Sequence, residues 1–189
     1  MQAGLFFNRL NNKKERFPLN GQIELTYRCN LDCIHCYCKG LAVSGSRLES
    51  HTAHRTPHTA HRELNTEEWK EILDEIHKEG CLLLCLTGGD PLVREDFLEL
   101  YAYAKEKGFI ITLFTNGYAL SEKIVAHLAK HPPHSIEITL NSITQTTYES
   151  ITQRKGSFFK AIENIKLLKE KKLHLILKTN CLKANKDEL

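Results

Sequence analysis

Proline and glycine are scarce in this chain, at 5 and 10 of 189 residues, which excludes collagen-like and low-complexity architectures. Charge of one sign is scarce as well. Lys and Arg number 26 against 23 Asp and Glu, a net +3, too slight an excess to imply a nucleic-acid partner. No apolar run approaches the length that crosses a bilayer, so no membrane association is expected. Leu5-Phe6-Phe7, soon followed by Lys13-Lys14-Glu15-Arg16, is too brief for a secretory leader. The terminal Lys186-Asp187-Glu188-Leu189 spells an endoplasmic-reticulum retention address, which acts only on a chain that enters that compartment, and it reads as coincidence. The expected location is the reducing cytoplasm. What is there is the composition of one globular domain, 41% hydrophobic and 26% charged.

A strand-and-helix alternation runs along most of that length. Gln22–Tyr27 reads as a strand. Asn65 or Thr66 caps a helix whose apolar stripe is Trp69, Ile72, Leu73 and Ile76, and Gly80 stops it. Cys81–Leu86 is a continuous apolar run, suited to a strand buried on both faces of a parallel sheet. The unit then recurs: a helix from about Arg94 to Lys107, a strand over Phe109–Phe114, a helix from Ser121 to Lys130 and a strand over Ser135–Leu140. A helix over Ser157–Lys171 and a strand over Leu173–Lys178 complete the series. This is an α/β pattern of about five βα units around a parallel sheet. It fits a doubly wound sheet or part of a TIM-like (β/α) barrel, and either form gathers functional residues at the C-terminal ends of the strands. The polar punctuation falls there, at Cys29–Cys38, Thr87–Pro91, Thr115–Gly117, Asn141-Ser142 and Thr179-Asn180.

Residues 1–20 read as an N-terminal extension and 21–189 as the core. The core is broken by a histidine-rich insertion at 40–63 with a near-duplicate, His51-Thr52-Ala53-His54-Arg55 and His58-Thr59-Ala60-His61-Arg62. Four histidines so close can bind metal, but the tract has no evident means of fixing coordination geometry and reads as a flexible, solvated insertion.

Cysteines carry the sharper signal. The seven fall at 29, 33, 36, 38, 81, 85 and 181, an odd count that argues against a disulfide framework. Cys29, Cys33 and Cys36 have the spacing CxxxCxxC, and soft sulfur on one loop selects an iron–sulfur, zinc or copper(I) centre. Zinc wants a fourth ligand, which Cys38 or His35 could supply. A redox Cys-x-x-Cys pair leaves Cys29 without a role. Three ligands on a four-iron cluster leave one iron with an open position, where a substrate or cofactor can bind. Cys81, Cys85 and Cys181, on or beside apolar strands, read as core material.

This spacing at the end of a first strand resembles the radical S-adenosylmethionine (SAM) superfamily. The resemblance implies that Cys29, Cys33 and Cys36 hold a [4Fe-4S] cluster and that the remaining iron binds the amino nitrogen and carboxylate of SAM. One-electron reduction, from an external flavodoxin- or ferredoxin-like donor, would then release methionine and a 5′-deoxyadenosyl radical that abstracts hydrogen from a substrate. It extends past the cysteines. Gly88-Gly89-Asp90-Pro91 resembles the family's GGE-P turn, which holds SAM's ammonium, with a carboxylate one methylene shorter. Asn116 lies in the family's TNG after the third strand, and Gly117 there supplies a turn that a Cβ would obstruct.

Ile138-Thr139-Leu140-Asn141 stands where the family has I-S-L-D, placing Thr139 at the SAM ribose or carboxylate and Asn141 at SAM or substrate. Arg154 matches an arginine whose guanidinium suits the methionyl carboxylate. His35 takes the family's aromatic position, packing near cluster and adenine, and Tyr37 shares that role through its backbone. Asn180 is a weaker candidate.

The likeness is strongest with the SPASM-type branch that matures peptides or protein side chains, through Phe17–Gly21 and the segment from Thr147 to Phe158. It implies a peptide or protein substrate. Members of that branch continue into a sixth strand and a cysteine-rich domain. The expectation is therefore a fragment, a truncated product or half of a split system, with a partner or missing segment covering the open barrel edge. The competing reading is a metal- or cluster-holding structural or interaction module without catalysis, favoured by the departures at Asp90 and Asn141.

Overall fold

Apolar and polar residues alternate along most of the strands, and this alternation builds a sheet with two different faces. The computed structural model describes residues 17–38 and 62–188. The predicted extension, apart from 17–20, and the histidine-rich insertion, apart from 62–63, lie outside the described residues. The strands are β1 (Asn20–Glu24), β2 (Leu83–Thr87), β3 (Ile110–Thr115), β4 (Ser135–Thr139) and β5 (Leu175–Lys178). Each pairs in parallel with the next in chain order, with Gln22 opposite Cys85, Cys85 opposite Thr112 and Thr139 opposite Lys178. A doubly wound sheet would reverse its order at a switch point. The unbroken order makes this a partial parallel β/α barrel of five strands with flanking helices.

One face packs under the helices. Leu84, Leu86, Ile111, Leu113, Ile136 and Ile138 are buried there. The other face, the barrel lumen, carries Gln22, Cys85, Thr112, Phe114, Glu137, Thr139 and Lys178, far more polar than the branched aliphatics that fill an ordinary barrel. The helices are α1 (Thr66–Lys78), α2 (Phe97–Glu106), α3 (Glu122–Lys130), α4 (Gln145–Thr152) and α5 (Ser157–Glu170). None of the described helices is long and apolar enough to cross a membrane. At nine residues α3 is too short to persist alone, so the burial of Val125 and Leu128 holds it.

Asn65 accepts from the Glu68 N–H while the Glu68 carboxylate accepts from the Asn65 N–H, a capping box on α1. Asn65→Ala is expected to lower stability by about 1 kcal/mol, read as a shift in the urea midpoint.

Three expectations need correction. The helix expected from Arg94 begins only at Phe97, because Pro91–Val93 form a 3-10 turn capped by the Asp90 carboxylate. Arg94 is instead a buried cation, bonded to Asp96, the Leu25 carbonyl and the Leu64 carbonyl. Cys181 is exposed, not core, although Cys81 and Cys85 are buried. The helix α4 was not expected at all. Its sequence is mostly polar, and it ends at Gln153, whose φ of 56° is left-handed.

Candidate cofactor site

The C-terminal ends of the strands open on a cavity of about 450 Å³. Cys29, Cys33, Cys36 and Cys38 line it on one side, Gly88, Gly89, Asn116, Thr139 and Asn141 on the other. The strand-end loops that stood out as punctuation thus face one space.

The cysteine loop is held from outside itself. Asp32 N–H donates to the Thr152 carbonyl at 3.0 Å and Ile34 N–H to the Ile151 carbonyl at 2.9 Å, so the end of α4 carries the loop. Arg154 donates to the Asn30 carbonyl at 2.6 Å while its guanidinium lies 4.4 Å from the Tyr118 ring centroid. Asn116 donates its side-chain amide to Asn30 Oδ1 at 2.7 Å and to Cys29 Sγ at 3.4 Å. Burial pushes the Cys29 thiol up to about 11, against the opposing pull of the Leu31 N–H and the Asn116 amide. A metal must displace that proton to bind. Among the described residues no three His, Cys, Asp or Glu side chains converge on the position of a single metal ion.

Across the cavity, the Gly88-Gly89 turn is zipped to the chain leaving β1. Leu25 N–H donates to the Thr87 carbonyl, Gly89 N–H to the Thr26 carbonyl and Asp90 N–H to the Arg28 carbonyl, at 2.9, 2.8 and 2.9 Å. Asp90 lies behind the turn. It is 0% exposed, and its carboxylate accepts from Leu92 N–H at 3.0 Å, Thr115 Oγ1 at 2.8 Å and Asn116 N–H at 2.8 Å. The carboxylate therefore ties the second strand's turn to the third strand's. Gly117 takes a left-handed φ of 76°, where a Cβ would come within 3.2 Å of Ile138. Its carbonyl accepts from Asn164 Nδ2 at 2.7 Å.

At the fourth and fifth strands, Asn141 Oδ1 accepts from Asn180 N–H at 3.1 Å. Asn180 Nδ2 lies 3.2 Å from His35 Nε2, so the β5 loop touches the cysteine loop. Tyr37 lines the cavity and donates its hydroxyl to Glu24 at 2.7 Å. Of the residues singled out in the sequence, His35, Tyr37, Gly88, Gly89, Asn116, Thr139 and Asn141 line the cavity with the cysteines. Asp90 and Arg154 support it from behind and from the side.

Other contributors carried little signal. Asn185 is 0% exposed and donates to the carbonyls of Asn141 and Asn180, fixing both loops, yet it sits in an unremarkable polar tail. Glu63, at the end of the insertion, accepts from Thr26 Oγ1 and pairs with Arg28 at 3.2 Å. Tyr148 and Thr152, also lining the cavity, stand four apart on one face of α4, a spacing visible in sequence once the helix is known.

Comparison with known proteins places this geometry. Residues 23–187 match the Radical SAM superfamily. The chain is 33% identical over 145 residues to the mycofactocin maturase MftC of Mycolicibacterium smegmatis, covering 75% of this chain and 33% of that one. It is 28% identical over 166 residues to an AdoMet-dependent heme synthase of Methanosarcina barkeri, covering 88% and 43%. Streptococcus suis SuiB superposes with a TM-score of 0.71 at 20% identity, over 91% of this chain and 35% of SuiB, a likeness of fold. The chain spans 33–43% of the length of these two curated relatives. With the match running through every strand-end loop that faces the cavity, the chain belongs to the radical SAM superfamily.

Proposed function

We propose that this chain is the cofactor-binding core of a radical SAM enzyme acting on a peptide or protein. The observation that carries the reading is the single cavity shared by the CxxxCxxC thiols and the Gly-Gly, Asn-Gly and Thr-x-Asn loops. The donor set fits the group: three soft thiols on one short loop, all lining the cavity, are the ligand type that iron–sulfur clusters take. Bound there, a [4Fe-4S] cluster and SAM would supply a 5′-deoxyadenosyl radical able to abstract hydrogen, given one electron from an external donor.

The chain's own residues bind and orient. Cys29, Cys33 and Cys36 are the ligands in this reading. The Gly88-Gly89 backbone, Asn116, Thr139 and Asn141 form the opposite wall for SAM, with His35 and Tyr37 beside the cysteines. Arg154 offers a cation at the rim. Asp90 acts from behind, keeping the Asn116 N–H and the glycine turn in register. A peptide substrate is favoured because the relatives include a maturase, and SuiB, which shares the fold, has been solved with its precursor peptide SuiA.

Anaerobic reconstitution with iron and sulfide, followed by electron paramagnetic resonance with and without SAM, tests the reading. About four irons per chain and a signal shifted by SAM are expected. Bound zinc, or a cluster indifferent to SAM, would instead favour a structural module.

A further inference from the structure

The lumen below the cofactor cavity holds charge that no step of the cofactor reading uses. Along β4, Ser135, Glu137 and Thr139 face inward, and along β5 Lys178 does the same. Lys178 pairs with Glu137 and lies over the Phe114 ring, its ammonium 3.6 Å from the centroid. Ser135 Oγ donates to Glu137 at 3.3 Å. Both charges act on Cys85, whose thiol burial pushes up to about 11, with Glu137 adding and Lys178 opposing. Phe114 and Thr139, the latter opposite Lys178 in the strand register, both line the cofactor cavity. The ion pair therefore lies next to the cofactor cavity, in contact with its wall through Phe114 and Thr139.

The two members are not equally available. The Glu137 side chain is 13% exposed and already takes two donors, while the Lys178 side chain is 45% exposed. An ammonium has three donors, and Glu137 engages one face while the aromatic ring supports another. The Lys178 side chain keeps nearly half of its surface exposed, and the aromatic face beneath it holds it in place. An acceptor-only anionic group fits such a site.

We propose that Lys178, held by Glu137 and Phe114, is a substrate-reading residue that receives a carboxylate of the substrate. This rests on the peptide reading above and deepens it. The carboxylate can belong to an acidic side chain or to a peptide C-terminus, and both have the same chemistry at the ammonium.

The test titrates the full chain with short peptides while following backbone and lysine signals by NMR. The probes are N-acetyl-Ala-Glu-Ala-amide, N-acetyl-Ala-Gln-Ala-amide, N-acetyl-Ala-Gln-Ala with a free C-terminus, and N-acetyl-Ala-Lys-Ala-amide. At least one carboxylate peptide is expected to bind about tenfold or more tightly than the neutral amide, with shifts at Phe114, Glu137 and Lys178. Which of the two does so identifies the carboxylate's source. Lys178→Met should abolish the selectivity and Lys178→Arg should keep it. Glu137→Gln should enlarge it, because the ammonium then has no competing carboxylate.

Equal binding of all four probes, no binding of any, preference for the lysine peptide, or selectivity surviving in Lys178→Met would each overturn the assignment. The titration needs no cluster, so it is separate from the SAM-dependent signal. Carboxylate selectivity without that signal would count against the cofactor reading and support the lumen site.

Discussion

Gly88→Ala is expected to destabilise the chain by about 4 kcal/mol or more, the exceptional class of single substitutions, and to lose iron uptake with it. The new Cβ would stand 2.2 Å from the Thr26 carbonyl oxygen and 3.2 Å from the Thr26 nitrogen, at a φ of 145° that L side chains rarely adopt. Neither strand end can yield cheaply. The Thr26 carbonyl accepts from Gly89 N–H, and the Thr87 carbonyl accepts from Leu25 N–H, so relieving the clash breaks bonds that join the turn to the chain entering the cysteine loop. Gly89 is under the same constraint, with its Cβ 2.4 Å from the Arg28 carbonyl oxygen. The glycines are thus required by backbone packing as well as by whatever occupies the cavity.

Gly156 separates strain from clash: its φ is 76°, and a Cβ there meets nothing within 4 Å. Gly156→Ala should therefore cost only about 1–2 kcal/mol of left-handed backbone strain. Urea unfolding of both variants, with iron counted after reconstitution, decides the matter. Similar losses in the two would show that the approach to Thr26 is not the constraint.

What could be read from sequence follows from which physical signals are local. The strands were legible because Cys81–Leu86, Phe109–Phe114 and Ser135–Leu140 are apolar, β-branched or alternating over the length of a strand. Their observed ends differ by one or two residues, as edges set by pairing partners do. The loops were legible because each polar segment follows a strand in a parallel sheet, where topology alone gathers them. The helix α4 was not, because Gln145-Thr146-Thr147-Tyr148-Glu149-Ser150-Ile151-Thr152 has low helix propensity and only Tyr148 and Ile151 as apolar anchors. Packing against α5 and the cysteine loop holds it.

Arg94 was misplaced for a related reason. Its place is fixed by the Leu25 and Leu64 carbonyls, distant in sequence, and nothing near it in the chain announces them. Asn185 is invisible on the same ground: its partners Asn141 and Asn180 lie in loops that meet only once the sheet is formed. Long-range hydrogen bonds leave no periodic trace. The departures that made a non-catalytic module attractive look different in this light. Asn141 still bonds across to the β5 loop, and Asp90 accepts from three internal donors.

Asp90 gives the second large effect. Removing its carboxylate in Asp90→Ala leaves the N–H groups of Leu92 and Asn116 and the Thr115 hydroxyl without their acceptor, at a site that is 0% exposed. At about 1–3 kcal/mol for each buried donor that cannot be re-paired, the loss should reach about 4 kcal/mol. It should also release Asn116 from its place against Cys29, so that iron occupancy falls. Asp90→Asn tests the charge separately.

Burial pushes the Asp90 carboxyl up from 3.8 to about 6, against the pull of its three donors. Between those values the folded chain keeps a proton that the unfolded chain has lost. This group's contribution is therefore full below pH 3.8 and declines as pH rises toward 6. The carboxylates held below their usual range, such as Asp74 and Asp96, act in the opposite sense at lower pH. The informative quantity is thus the difference in unfolding free energy between wild type and Asp90→Asn. Wild type should lose ground to the variant as pH rises from about 4 to about 6 and hold a constant difference above that. A difference that does not change through this window would show that the buried carboxyl is already ionised at its lower end, and that its three donors outweigh its burial.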